Sequence, residues 1–406
     1  MYFLRTITIT LTAALAAFSA GCSGREAPLL SREELFSLDI GRLEDQIALY
    51  NLDGDRGIKQ CNIAMRDGFF YIADTKGAKI VRYTSYGDLL FMIYNDETNP
   101  RLSGLKPFSA DTAATRWAVS YPLKEPGELA VDSRKHIYVR DRLPYELHAT
   151  DEESGALLDS IILHFDENGR FLEYLGREGP GGAPFPAIEG IFPSVDDEFA
   201  VVCRLPTGWN VHWFSAGGSS LYLVRLERSM VPVPKDRAHA IPSLNGICAA
   251  PDSRRLFVKV DYYRDTFDGS TGARTGNEPD SSVLWIMNVE SGAWERSFEV
   301  PFCEFSFMDG SRRETVRTFY SMIGAAAGGS IFFSAPVENG CSILITNVLS
   351  GQQHEERRAF LELSANELRF NTFNLSPDGI LSALLEDDWK VKLVWWRTDK
   401  GYERQN

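Results

Sequence analysis

The feature that most constrains this chain is a recurring group of four short apolar runs separated by turn residues. In the clearest group, Cys61-Asn62-Ile63-Ala64-Met65 is a strand, Arg66-Asp67-Gly68 turns, and Phe69-Phe70-Tyr71-Ile72-Ala73 is a second strand. Lys79-Ile80-Val81-Arg82-Tyr83 is the third. After Ser85-Tyr86-Gly87-Asp88, the run Leu89-Leu90-Phe91-Met92-Ile93 is the fourth. Asp-Gly and Gly-Asp between apolar runs are hairpin signals, because these residues accept the left-handed backbone of tight turns. The rhythm returns over 128–175, 188–226, 244–300 and 319–360, and three strands of it occupy 370–396. That last group lacks a fourth strand. Residues 34–40, with Leu35, Phe36 and Leu38, precede the first group and supply a candidate to pair beside 391–396.

Runs such as Leu256-Phe257-Val258 and the segment 391–396 are apolar on both faces. Each sheet therefore needs a neighbour on either side. A closed ring gives that to every sheet, whereas two stacked sandwiches would leave strands with one polar face. The expected fold is all-β, a six-bladed β-propeller of four-stranded blades with the last blade closed by the N-terminal strand.

Pro126-Gly127-Glu128-Leu129-Ala130-Val131-Asp132, followed by His136-Ile137-Tyr138-Val139-Arg140-Asp141, resembles an NHL repeat. The continuation Ile162-Leu163-His164-Phe165-Asp166-Glu167-Asn168-Gly169-Arg170-Phe171-Leu172 and Gly176-Arg177-Glu178-Gly179 does too, as does Phe70-Tyr71-Ile72-Ala73-Asp74-Thr75. Arg140 stands where the family usually has alanine. The later groups match in strand rhythm alone. The resemblance implies a six-bladed propeller and no single activity, because NHL-like propellers serve as lyases, hydrolases and binding modules.

The N-terminus carries a different signal. Arg5 is followed by the apolar run 6–18 and then Ser19-Ala20-Gly21-Cys22. That run suits a signal peptide and is too short to span a bilayer, which takes about 20 residues. Ser-Ala-Gly-Cys resembles the lipobox of bacterial lipoproteins. The resemblance implies cleavage before Cys22, a diacylglycerol on its thiol and a further acyl chain such as palmitate on its amino group. Several acyl chains anchor where one binds marginally. The expected organisation is a signal peptide at 1–21, lipidated Cys22 with a polar tether to residue 33, and a propeller over 34–406. Ser23 after the cysteine resembles lipoproteins sent to the outer membrane.

The net charge is −14, and −15 once the segment carrying Arg5 is removed. Such an acidic chain has no electrostatic reason to bind nucleic acid. The other cysteines, Cys61, Cys203, Cys248, Cys303 and Cys341, show no metal-type spacing. They read as buried apolar thiols, a disulfide being the alternative in an exported chain. Asn51-Leu52-Asp53-Gly54-Asp55-Arg56-Gly57 has the acids of a calcium loop, but its glycine is one place late and no acid closes it. No cofactor or metal is expected.

In a four-stranded meander, first-to-second and third-to-fourth turns share one end, and second-to-third turns share the other with the links between blades. Turns at the first end are all short. The long insertions 95–125, 141–159, 228–243, 262–282 and 302–318 all fall at the second end. Loops carried by a rigid scaffold are where function concentrates. Residues leaving second strands there are the candidate binding set: Asp74, Arg140, Asp141, Arg204, Asp261, Tyr262, Glu386 and Asp387. Trp389, Trp395 and Trp396 are expected to pack between blades. No HExxH, GxSxG or phosphate loop occurs, so no catalytic residue is assigned. The sequence thus points to a membrane-anchored envelope lipoprotein that binds a protein partner or ligand through its long-loop end. The alternative is a lyase or hydrolase working in the channel.

Overall fold

The computed structural model describes residues 27–49, 61–108, 115–175, 184–309, 312–348, 355–387 and 389–398. Cys22, the signal segment, the loop 51–57 and Gly176–Gly179 of the NHL-like stretch lie outside the described residues. The chain is an all-β propeller. Five sheets are four-stranded blades, and the sheet that comes first in the chain has six strands. The expectation of six like, four-stranded blades is corrected accordingly. After Leu89–Tyr94 the chain loops out and returns, and Trp117–Ser120 adds in parallel to that strand with Lys106–Pro107 parallel beside it. The insertion expected as a loop over 95–125 thereby contributes two short strands to this sheet.

The innermost strands are Cys61–Arg66, Leu129–Val131, Ala187–Pro193, Ile241–Ala249, Ser321–Ala326 and Asn371–Leu375. Each contacts the next, and Asn371–Leu375 contacts Cys61–Arg66 in turn. Apolar side chains from adjacent sheets merge into cores between them: Tyr71, Ile80 and Phe91 of the first sheet with Ile137, Val139 and Phe165 of the second, for example. This is the two-sided burial that the sequence pattern requires.

Glu33–Asp39 forms the outer strand of the sheet made by Asn371–Leu375, Leu381–Asp387 and Lys390–Trp396. Leu38 is buried there, and the Phe36 ring lies 5.2 Å from that of Tyr83. Part of the expected tether is also engaged. The Leu30 amide donates to the Phe360 carbonyl, and the Phe360 amide to that of Pro28. Trp395 lies 6.3 Å from Phe70 and Trp396 is buried, whereas Trp389 is exposed because it sits in the turn before Lys390. All five cysteines among the described residues are free and buried.

Two insertions project as hairpins. Arg255–Phe267 and Arg274–Asn288 pair far beyond their flanking strands, and Cys303–Asp309 pairs with Arg312–Thr318 as a separate ribbon. No helix among the described residues is long and apolar enough to cross a membrane.

Candidate functional site at the channel mouth

A channel of about 240 Å³ runs between the six innermost strands. At the end that receives the long insertions it opens into a cavity of about 760 Å³. Asn62, Glu128, Glu189 and Asn371 come to this mouth from the first residues of inner strands or the residue just before them. Glu125, Arg140, Arg142 and Asp159 come from the second sheet and its insertion. The lining is polar because inner strands begin here, where side chains meet water rather than a neighbouring sheet.

Arg140 is fixed from two sides. Its Nε donates to Glu128 Oε2 at 2.7 Å and its Nη1 to the Glu125 carbonyl at 2.9 Å. Its guanidinium lies across Gly127, where any Cβ would collide with it. Arg142 reaches Glu125 Oε2 at 3.2 Å and Asp159 Oδ2 at 3.7 Å. Arg204 lies 3.6 Å from Glu189 and over the Trp209 ring at 5.9 Å. The mouth thus alternates carboxylates and guanidinium groups, offering hydrogen-bond donors and acceptors in a fixed pattern. Asn62 Nδ2, a mouth-lining donor, is buried without a hydrogen-bond partner among the described residues.

Of the eight residues singled out from the sequence, Arg140 lines this cavity and Arg204 stands on its rim. Asp74 is buried and its carboxylate accepts the amides of Ala48 and Gly77 at 2.9 and 2.8 Å. It faces Lys79 at 4.0 Å, and Lys79 donates to the Gln46 carbonyl at 2.7 Å. Burial pushes the Asp74 pKa up against the pull of Lys79, and pushes that of Lys79 down. Asp141 accepts the amides of Lys124 and Glu125, the latter at 2.7 Å, and burial raises its pKa to about 6. Asp261 accepts from Lys259 and from Ser282 Oγ at 2.7 Å, with both ion-pair partners buried. Tyr262 is buried; its hydroxyl donates to the Pro232 carbonyl and accepts from Trp285 Nε1. Glu386 is buried, and Asp387 pairs with Lys392 at 2.7 Å. Asp74, Asp141 and Asp261 therefore hold loop backbone or a buried lysine, and the mouth is furnished instead by Glu125, Glu128 and Glu189 beside Arg140.

One cluster at the opposite end gives no signal in the sequence. His136 Nδ1 and His164 Nε2 lie 2.9 Å apart, and His164 Nδ1 lies 3.1 Å from Glu173. With Glu173 as acceptor, His164 donates from Nδ1 and accepts at Nε2 from His136. Burial holds the His164 pKa below its ordinary value. Among the described residues, no group of three or more His, Cys, Asp or Glu side chains is placed to hold a metal ion.

No family model matches the chain, and no curated protein does. Solved structures similar to it include polysaccharide lyase Uly1, at 10% identity and a TM-score of 0.42, over 91% of this chain and 99% of that one. The WD40 domain from Toxoplasma gondii coronin is similar at 8% identity and 0.42, over 92% and 90% of the two chains. A luciferin-regenerating enzyme is similar at 10% identity and 0.38, over 90% and 94%. At these levels nothing of their activities carries over to this chain.

Proposed function

We propose that this protein is an envelope lipoprotein, anchored by acyl chains on Cys22 to the outer membrane, whose propeller is a binding scaffold. A partner protein of the envelope seats on the long-loop end and places polar groups in the channel mouth. We count the six-stranded sheet as a blade, which makes a six-bladed, NHL-like ring. The innermost strand of that sheet contacting those of two four-stranded blades supports the count. The observation that carries the functional reading is the polar cavity of about 760 Å³ at the end where the long insertions gather. Its arginines and carboxylates are already oriented by one another, so a partner meets preset donors and acceptors. Asp74, Asp141 and Asp261, the carboxylates that favoured a channel enzyme, are each buried against backbone or lysine, which supports binding over catalysis by those groups.

The test is crosslinked co-purification from membranes with charge reversals of exposed residues. Glu125→Lys with Glu189→Lys should abolish adducts. Glu167→Lys, in a short turn at the other end, should leave them at the wild-type level. Equal adducts from all three proteins would sink the reading.

A further inference from the structure

Among the described residues, the third sheet ends on an open edge. Its outer strand, Ser220–Glu227, bonds to Gly208–Phe214 on one side and is the last strand of the sheet. Two outer edges are covered, Leu89–Tyr94 by two further strands and Phe360 by Pro28 to Leu30, while Phe171–Tyr174 and Trp294–Glu299 are, like Ser220–Glu227, the last strands of their sheets. Leu221 and Leu223 on the open strand are 40% and 45% exposed. An exposed apolar edge is a template for another strand and is ordinarily blunted.

Beside this edge lies a cavity of about 450 Å³, within the roughly 300–1,000 Å³ typical of ligand pockets. His212 stands directly opposite Leu223 in the register, so the two share the face that borders the cavity. The His212 ring lies 5.4 Å from Phe185, edge to face, and 6.4 Å from Phe214, and burial keeps it neutral. The far wall is the insertion hairpin of Ala149–Thr150 and Leu157–Leu158, whose tip reaches across so that Glu153 lies 3.5 Å from Arg225. Asp151, Glu153 and Glu227 line the cavity against one basic group, Arg225. The pocket is thus aromatic and aliphatic within and acidic at its rim.

We propose that this edge and cavity dock an extended segment of a partner protein by strand addition. The segment would place one aromatic or aliphatic side chain in the cavity and a basic residue against the acidic rim. A free strand edge supplies main-chain donors and acceptors, and alternate side chains of an added strand point the same way, towards the pocket. The acid excess selects a basic rather than an acidic segment. The cavity borders the mouth, since Leu158 and Pro186 line it while Asp159 and Ala187 line the mouth, but its strand edge carries none of the mouth's charged groups, so Leu223→Lys and Glu153→Lys test it with Glu125 and Glu189 intact.

The experiment uses the full-length protein and a fluorescein-labelled octapeptide of alternating valine and threonine, with a central phenylalanine and two flanking lysines. Fluorescence anisotropy should show saturable binding, and hydrogen exchange should show new amide protection over 220–227. Leu223→Lys, at a half-exposed position compatible with folding, should weaken binding roughly tenfold or more, as should N-methylation of alternate peptide amides. Glu153→Lys should weaken the lysine-flanked peptide and not a glutamine-flanked one. No binding, equal binding of the N-methylated peptide, or wild-type affinity in Leu223→Lys overturns the proposal. Binding that appears only after residues 177–182 are deleted also overturns it, making the chain's own segment the occupant.

Discussion

Asp141 offers a quantitative test of how the long-loop end is built. The residue is 4% exposed, and its carboxylate holds the amides of Lys124 and Glu125 that lead into the second blade. Truncation to Ala leaves two donors without an acceptor. At about 1–3 kcal/mol for each unmet buried group, the expected loss is about 2–6 kcal/mol at pH 4, where the folded carboxyl is protonated, and about 3 kcal/mol less at pH 7, where the variant no longer buries a charge. Asn keeps one carbonyl acceptor and carries no charge, so Asp141→Asn should cost roughly half as much or less. The pH dependence gives a second handle. Burial raises this carboxyl from 3.8 to about 6. The folded state then binds more protons than the unfolded state between these values. This contribution to stability is full below the lower value and lost as pH rises through the upper one. The rise corresponds to about 3 kcal/mol, at roughly 1.4 kcal/mol per tenfold change in the proton equilibrium. Urea unfolding followed by tryptophan fluorescence, at intervals from pH 4 to 7, measures both effects. Asp141→Asn should remove a fall in stability that wild type shows over that window. An unchanged pH profile in Asp141→Asn, or a loss below about 0.5 kcal/mol in Asp141→Ala at pH 4, would refute the role of Asp141 in holding these amides.

Three further outcomes follow from particular contacts. Lys259 and Asp261 are both buried, so Asp261→Ala should cost about 3–5 kcal/mol by stranding the lysine, and adding Lys259→Met should recover much of that loss in the same unfolding assay. Deleting Glu33–Asp39 removes buried Leu38 and the Phe36 contact with Tyr83, so thermal unfolding should show a loss of roughly 4 kcal/mol or more and aggregation through the bared strand Lys390–Trp396, whereas deleting residues 23–26 should leave stability unchanged. Cys22→Ala should leave the protein in the aqueous phase of a detergent partition; entry into the detergent phase like wild type would end the lipoprotein reading.

The strand pattern was legible because both of its signals are local. Asp67 and Gly68 have positive φ values of 51° and 77°, as the hairpin at Arg66-Asp67-Gly68 requires, and the strand expected over 69–73 is Phe69–Asp74. The parallel addition of Trp117–Ser120 was not legible, since parallel pairing needs no tight turn and leaves no hairpin signature. The ribbon Cys303–Asp309 with Arg312–Thr318 has alternation of its own but belongs to no four-strand group, so it read as a loop. Placement of the acids failed for a different reason. Strand order puts Asp74 and Asp141 at the correct end, but whether they meet water depends on where Ala48 and Lys124 fold back, which is decided by distant sequence. Arg140 stayed at the mouth because Glu128, on the strand beside it, holds its guanidinium. The pair His136 and His164 sits 28 residues apart with no motif, and only the strand register brings the rings together.

We propose above that the long-loop end is the binding end, and crosslinking tests that directly. A photoreactive benzoylphenylalanine placed at position 204, on the rim of the mouth, and separately at position 86, in a turn at the opposite end, tests it in intact cells. Arg204 and Tyr86 are both exposed, so neither replacement disturbs a core. A discrete crosslinked partner is expected from position 204, lost when Glu125→Lys and Glu189→Lys are added, and none from position 86. The same partner captured from position 86, with nothing from position 204, would contradict it.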